Sequence, residues 1–180
     1  LSRATMGLLP STASRTGKVW FQDKELLSMD KDEVRQLWGI GMAMIFQDPM
    51  TALNPVRRIG AQLTESLTVR LKMDKKAARE RAIELMKRVR IPDPEGMLKK
   101  FPYQLSGGMR QRIMIAIAVS CNPSLLFADE PTTALDVTVQ AQVLELLDEL
   151  RSEFNTAMIL VTHDLGVVAG HTDKIAVMYA

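Results

Sequence analysis

The sequence predicts an α/β fold: a mostly parallel sheet flanked by helices and interrupted by a helical insertion. Three observations carry this. Apolar runs at 42–46, 125–128 and 157–162 each stop abruptly at polar residues, as strands buried on both faces do at the rim of a parallel sheet. Between the first two runs, residues 56–103 have helical periodicity. After Asp136, apolar residues again recur at helical spacing.

Taken in order, residues 1–9 read as the tail of a helix stopped by Pro10, and 11–17 as a polar loop. A short strand is predicted over 18–22. Asp30 or Asp32 can cap a helix running through Trp38, which Gly39 ends. The buried strand 42–46 follows and stops at Gln47-Asp48-Pro49, with the turn-rich MTALNP after it. An amphipathic helix is predicted over 57–71. A second spans 74–90, with Ala78, Ala82, Leu85, Met86 and Val89 on one face, until Pro92 and Pro94 break it. A short helix over 95–101 leads to LSGGMRQR. This gives one domain, with an α/β core of 1–55 and 122–180 and a helical subdomain of 56–121.

Ser106 can cap the next helix, whose first residues, Gly107 and Gly108, leave its backbone N–H groups bare of side chains and open to an anion. That helix carries the longest apolar run, 113–119, far short of the roughly 20 residues needed to cross a bilayer. Cys121, the single cysteine, reads as a packed thiol at its end. The strand 125–128 then runs into Asp129-Glu130-Pro131. Two adjacent carboxylates beside a phosphate-binding helix start suggest a division of labour, Asp129 holding Mg2+ and Glu130 polarising an attacking water. Val139, Val143, Leu146, Leu147 and Leu150 line one face of the helix after Asp136. The strand 157–162 ends in His163-Asp164, His171 is expected on the surface, and a last strand is predicted over 174–179. Gln47, the Asp129–Glu130 pair and His163 are therefore expected on one edge of the sheet, where ligands of open α/β folds bind.

These residues carry a resemblance. LSGGMRQR resembles the signature motif of ATP-binding-cassette ATPases, LLFADE their Walker B strand and TALD their D-loop. The variant ADEPTTALDVTVQAQVLELL is most similar to the ATP-binding subunits of dipeptide, oligopeptide and nickel importers. The resemblance implies a P-loop NTPase-like sheet with ATP and Mg2+ as cofactors. It implies Glu130 and His163 as catalytic residues, the histidine sensing the terminal phosphate, and Asp129 and Gln47 at the metal. Gln47, Ser106, Gly107, Gly108 and Asp136 are implied to bind ATP in a head-to-tail dimer, where Ser106–Gly108 of one subunit complete the site of the other. The implied partners are that second ATPase subunit, integral membrane permease subunits and, indirectly, an extracytoplasmic solute-binding protein. The implied location is the cytoplasmic face of the membrane.

One family element does not occur within the sequence. No G-x-x-x-x-G-K-[ST] loop is found, since Gly17-Lys18 is followed by Val19 and lacks the earlier glycine. The resemblance implies numbering that begins a few residues after the essential lysine, and the last predicted strand ends at Ala180 without a turn or cap, as expected of a C-terminus that is also cut. The chain alone is accordingly expected to be inactive.

Composition excludes other classes. With 47% hydrophobic and 24% charged residues over 180 positions, the chain can bury one sizeable core and a smaller satellite. Its 23 basic and 21 acidic residues give +2, too little to call for nucleic acid. A soluble cassette ATPase of DNA repair or translation and a non-catalytic interaction module stand as alternatives, and the transported solute stays open.

Overall fold

The computed structural model describes residues 2–10, 12–133, 135–168 and 170–178. The chain opens with one helical turn, α1 (Ser2–Thr5), and then a two-stranded antiparallel hairpin, β1 (Trp20–Phe21) with β2 (Lys24–Glu25). The strand predicted over 18–22 is thus shorter than expected. Gln22 and Asp23 both take positive φ, which folds the chain back at once. Helix α2 (Lys31–Leu37) starts from a capping box: the Asp30 carboxylate accepts from the Asp32 and Glu33 amides, and the Glu33 carboxylate accepts from the Asp30 amide. Gly39, at φ +89°, turns the chain out of it.

Strand β3 (Met42–Ile45) is followed by α3 (Pro49–Ala52), a turn of helix within the predicted loop, capped by Asp48 with Pro49 at its first position. The insertion comprises α4 (Ile59–Arg70), α5 (Lys75–Arg88) and the short α6 (Pro94–Met97), then a 3-10 turn, Pro102–Gln104. Helix α7 (Gly107–Val119) leads to β4 (Leu125–Asp129), α8 (Val137–Phe154), β5 (Ala157–Val161) and α9 (Leu165–Val168).

Strands β3, β4 and β5 form one parallel sheet in that order, Ile45 opposite Ala128 and Asp129 opposite Val161. Its two faces pack differently because successive side chains alternate. Ala43 and Ile45 join a large core with Leu63, Leu85, Met86, Ile113, Leu126 and Leu147, so insertion and sheet share one continuous apolar interior. Met42 and Met44 face the other way, into a smaller cluster with Met6, Leu26 and Phe127. The residues predicted on the apolar face of 74–90 are all buried, and so are Val143, Leu146, Leu147 and Leu150 on α8, while Val139, predicted on the same face, is only partly buried. Cys121 is buried as expected.

The strand predicted over 174–179 is not found. Residues 174–178 pair with no strand, Ile175, Val177 and Met178 are exposed, and Tyr179 lies outside the described residues. An apolar alternation specifies a face, but a strand also needs a hydrogen-bonding neighbour, and among the described residues this stretch has none. His171 differs too: it is half-buried and paired through Nδ1 with Asp148 on α8, not free on the surface.

Salt bridges fasten the insertion to α8, with Arg90 meeting Glu145 and Glu149, and Arg88 meeting Glu153. Helix α5 depends on its cap. The Asp74 carboxylate accepts from Lys76 N at 2.8 Å and Ala77 N at 2.9 Å. Asp74→Ala is expected to lower stability by about 1 kcal/mol, read as a lower urea midpoint with an unchanged slope.

Candidate functional site

The three parallel strands deliver their polar ends to one edge. Gln47 stands two residues beyond Ile45 and Glu130 two beyond Ala128, and those two strand residues are in register. His163 stands two beyond Val161, the partner of Asp129. The side chains meet as this register requires. Gln47 Nε2 donates to Glu130 Oε2 at 2.8 Å, and His163 Nδ1 lies 3.2 Å from Glu130 Oε1. Glu130 is the hub of the site.

Its backbone is unusual as well. Glu130 has φ +46°, a left-handed conformation uncommon for a residue with a side chain. Here the Glu130 amide donates to Val161 O at 2.9 Å, and Thr133 N donates to Glu130 O at 3.2 Å. Thr133 also gives its hydroxyl to Glu130 Oε2 at 2.9 Å. Sequence reasoning assigned Thr133 no role. The available signal was a hydroxyl three residues after the carboxylate, within reach of it once the strand end turns.

The Thr133 hydroxyl first, then the contact with His163, hold the Glu130 carboxyl below the ordinary carboxylate range, against a smaller opposing effect of desolvation. Glu130 is therefore ionised at neutral pH. A depressed carboxyl adds stability that is present above its unfolded value and lost as pH falls through the folded one. Thr133→Val is expected to raise the Glu130 titration midpoint toward the ordinary carboxylate range, measured by carboxyl carbon NMR. An unchanged midpoint would remove Thr133 from the site.

Asp129, adjacent in sequence, pairs instead with Arg3, Nε to Oδ2 at 3.8 Å. The donor set suits Mg2+. That ion takes oxygen ligands, commonly one or two side chains plus phosphate and water; Asp129 offers a carboxylate, and Gln47, with its nitrogen turned to Glu130, keeps its amide oxygen for a cation. Among the described residues there is no cluster of three or more His, Cys, Asp or Glu that could hold a metal by itself.

Ser106, Gly107, Gly108 and Asp136 gather at a second place. Ser106 caps α7, accepting from Met109 N at 3.3 Å, and Asp136 caps α8, accepting from Val139 N at 3.0 Å. A Cβ on Gly108 would stand 3.3 Å from Val139 Cγ1, so the two helix starts lie side by side. A Cβ on Gly107 would meet nothing within 4 Å, which leaves the front of α7 open. None of these four residues hydrogen-bonds to Gln47, Glu130 or His163.

A cavity of about 190 Å³ is lined by Glu130, Thr133, Thr162 and His163, among others. A larger one of about 550 Å³ lies between α8 and the chain around His171 and includes none of Gln47, Asp129, Glu130 or His163. Among the described residues no helix is long and apolar enough to cross a membrane.

Comparison with known proteins gives the family. The chain is 52% identical over 181 residues to the dipeptide transport ATP-binding protein DppD of Bacillus subtilis, covering 99% of this chain and 54% of that protein. It is 51% identical over 177 residues to the oligopeptide transport ATP-binding protein OppD of Escherichia coli, covering 98% and 52%. It thus spans about half the length of the curated relatives it matches. A solved dimeric ATP-binding cassette in a post-hydrolysis state, bound to ADP and Pi, superposes with a TM-score of 0.74 at 29% identity, covering 84% of this chain and 65% of that one. The cbiO1 cassette of Clostridium perfringens, part of the ABC transporter complex cbiONQ, superposes with a TM-score of 0.73 at 25% identity, covering 93% and 62%. Residues 1–133, which hold the signature helix and the strand ending in Asp129, match the ABC transporter family model, and the chain belongs to that family.

Proposed function

We propose that this chain is part of the ATP-binding and ATP-hydrolysing subunit of a peptide importer. The observation that carries the proposal is the convergence of Gln47, Thr133 and His163 on the Glu130 carboxylate at the edge of a parallel sheet. In phosphoryl transfer the protein mainly positions the nucleophile and stabilises charge. Glu130 accepts a proton-side hydrogen bond from the attacking water, while Gln47 and Thr133 fix the carboxylate's orientation. His163 is placed to contact the terminal phosphate through the ring nitrogen that Glu130 does not engage. Asp129 and the Gln47 oxygen would hold Mg2+, which would supply positive charge against the phosphates.

The cavity at Glu130 is smaller than the roughly 300–1,000 Å³ of sites that enclose a whole small ligand. This supports a shared site, with the open start of α7, Ser106 to Gly108, meeting the nucleotide of a second cassette and Asp136 beside that interface. The turn after Gln47 leaves Met50 and Val56 exposed, a surface suited to the cytoplasmic segment of a permease subunit at the inner face of the membrane. The relatives named for dipeptide and oligopeptide transport point to peptides as the solute. Nickel has weaker support, since none of these relatives is named for it.

The test is a chimera in which these 180 residues replace the matching half of the B. subtilis dipeptide protein. It is expected to restore dipeptide uptake to a strain lacking that subunit. A folded chimera that binds ATP without supporting uptake would count against the importer reading. The 180 residues alone, which hold no G-x-x-x-x-G-K-[ST] loop, are expected to show negligible ATPase activity. Turnover equal to that of the chimera would contradict this.

A further inference from the structure

One buried polar contact joins the signature helix to the catalytic turn. Gln111 sits on α7 at 1% exposure, and its Nε2 donates to the carbonyl of Pro131, the residue after Glu130. A buried amide and a buried carbonyl are each costly unless paired, so each holds the other in place. The Glu130–Pro131 turn is then fastened from three sides: by Val161 O on the sheet, by Thr133 within the turn, and by Gln111 from the helix. Only the last of these comes from outside the strand ends.

Gln111 is four residues from Gly107, about 6 Å along a rigid helix. Its neighbour Arg112 donates to Val89 O at 3.2 Å and to Gln142 at 2.9 Å, so this part of α7 contacts insertion, catalytic turn and α8 together. We propose that Gln111 is a positioning residue that holds the Glu130 turn in its left-handed conformation, so that displacement of the signature helix displaces the water-polarising carboxylate of the same chain. The inference rests on the role given above to Glu130. It makes signature-helix position an input to catalysis within one subunit, separate from any contact Ser106–Gly108 make with nucleotide.

The test compares Gln111→Met, which keeps length and burial but lacks the donor, with Ile113→Val, a methylene deletion on the same helix. Amide hydrogen exchange on the 180-residue chain is the first readout. Gln111→Met is expected to speed exchange at Glu130 and Thr133 at least tenfold while Leu126 and Phe127 on β4 hold their rates, and Ile113→Val is expected to show no such local change. Wild-type rates at Glu130, or acceleration shared equally with β4, would overturn the clamp. In the chimera, Gln111→Met is expected to lower kcat about tenfold with KM for ATP unchanged. Faster exchange at Glu130 with an unchanged kcat would overturn the catalytic consequence. A parent chimera that hydrolyses no ATP would refute the role of Glu130, and with it that consequence, while the exchange data still decide the clamp.

Discussion

Glu130→Gln is expected to lower ATP turnover of the chimera by a factor of about 10²–10⁴, the usual contribution of a positioned general base. The substitution is nearly isosteric and should leave the fold intact. Its amide oxygen can still accept from Thr133, and the left-handed turn is held by backbone bonds the side chain does not make. What is lost is the negative charge that orients the water. ATP binding should persist while hydrolysis stops, so KM or the nucleotide dissociation constant is expected to change little. Measured turnover within tenfold of the parent would mean that Glu130 is not the base and that the convergence at the sheet edge serves another purpose.

The second large effect concerns the shared interior. Leu85 is fully buried on α5, in the same cluster as Ile45 of β3 and Leu147 of α8. Leu85→Ala removes buried methyl groups and leaves a space the neighbours fill only in part, at a cost of about 3 kcal/mol. For a chain of this size that corresponds to a fall in Tm of about 6–12 °C. Val69→Ala on the exposed face of α4 serves as the control, expected within about 0.5 kcal/mol of wild type. If both variants melted together with the parent, the insertion would not be packed on the sheet as described. If the Leu85 variant lost only the α5–α4 signal while the sheet melted normally, the interior would be divided in two.

Much of this architecture was legible in the residues because burial writes a period into the sequence. The apolar faces of α5 and α8 were readable from 3.6-residue spacing. The ends of β3 and β4 were readable because a buried apolar run cannot pass into Gln-Asp-Pro or Asp-Glu-Pro without leaving the core; β5, expected to be buried like them, lies at the sheet edge with Ala157 and Ile159 exposed. Gln47, Glu130 and His163 are therefore assigned to one edge by the residues alone. Features that depend on a partner rather than on a period were not readable. The β1–β2 hairpin turns on Gln22-Asp23, which lacks the usual Asn-Gly signal. The stretch 174–178 has the alternation of a strand but no neighbour among the described residues. Gln111 acts through a single hydrogen bond that crosses from α7 to the turn after β4, and no local pattern announces such a bond, whereas Thr133, three residues after Glu130, comes within reach only because the strand end turns back.

The sheet order has a practical consequence at the bench. β5 pairs with β4 along one side only, and among the described residues its other side presents free backbone donors and acceptors, with Ile159 46% exposed in the middle. An open, apolar strand edge is a template on which another molecule's strand can add. Concentrated solutions of the isolated chain should accordingly self-associate through this edge. Light scattering that grows with concentration, and a lysine at position 159 that suppresses it, would mark β5 as the surface to shield before any crystallisation or kinetic work.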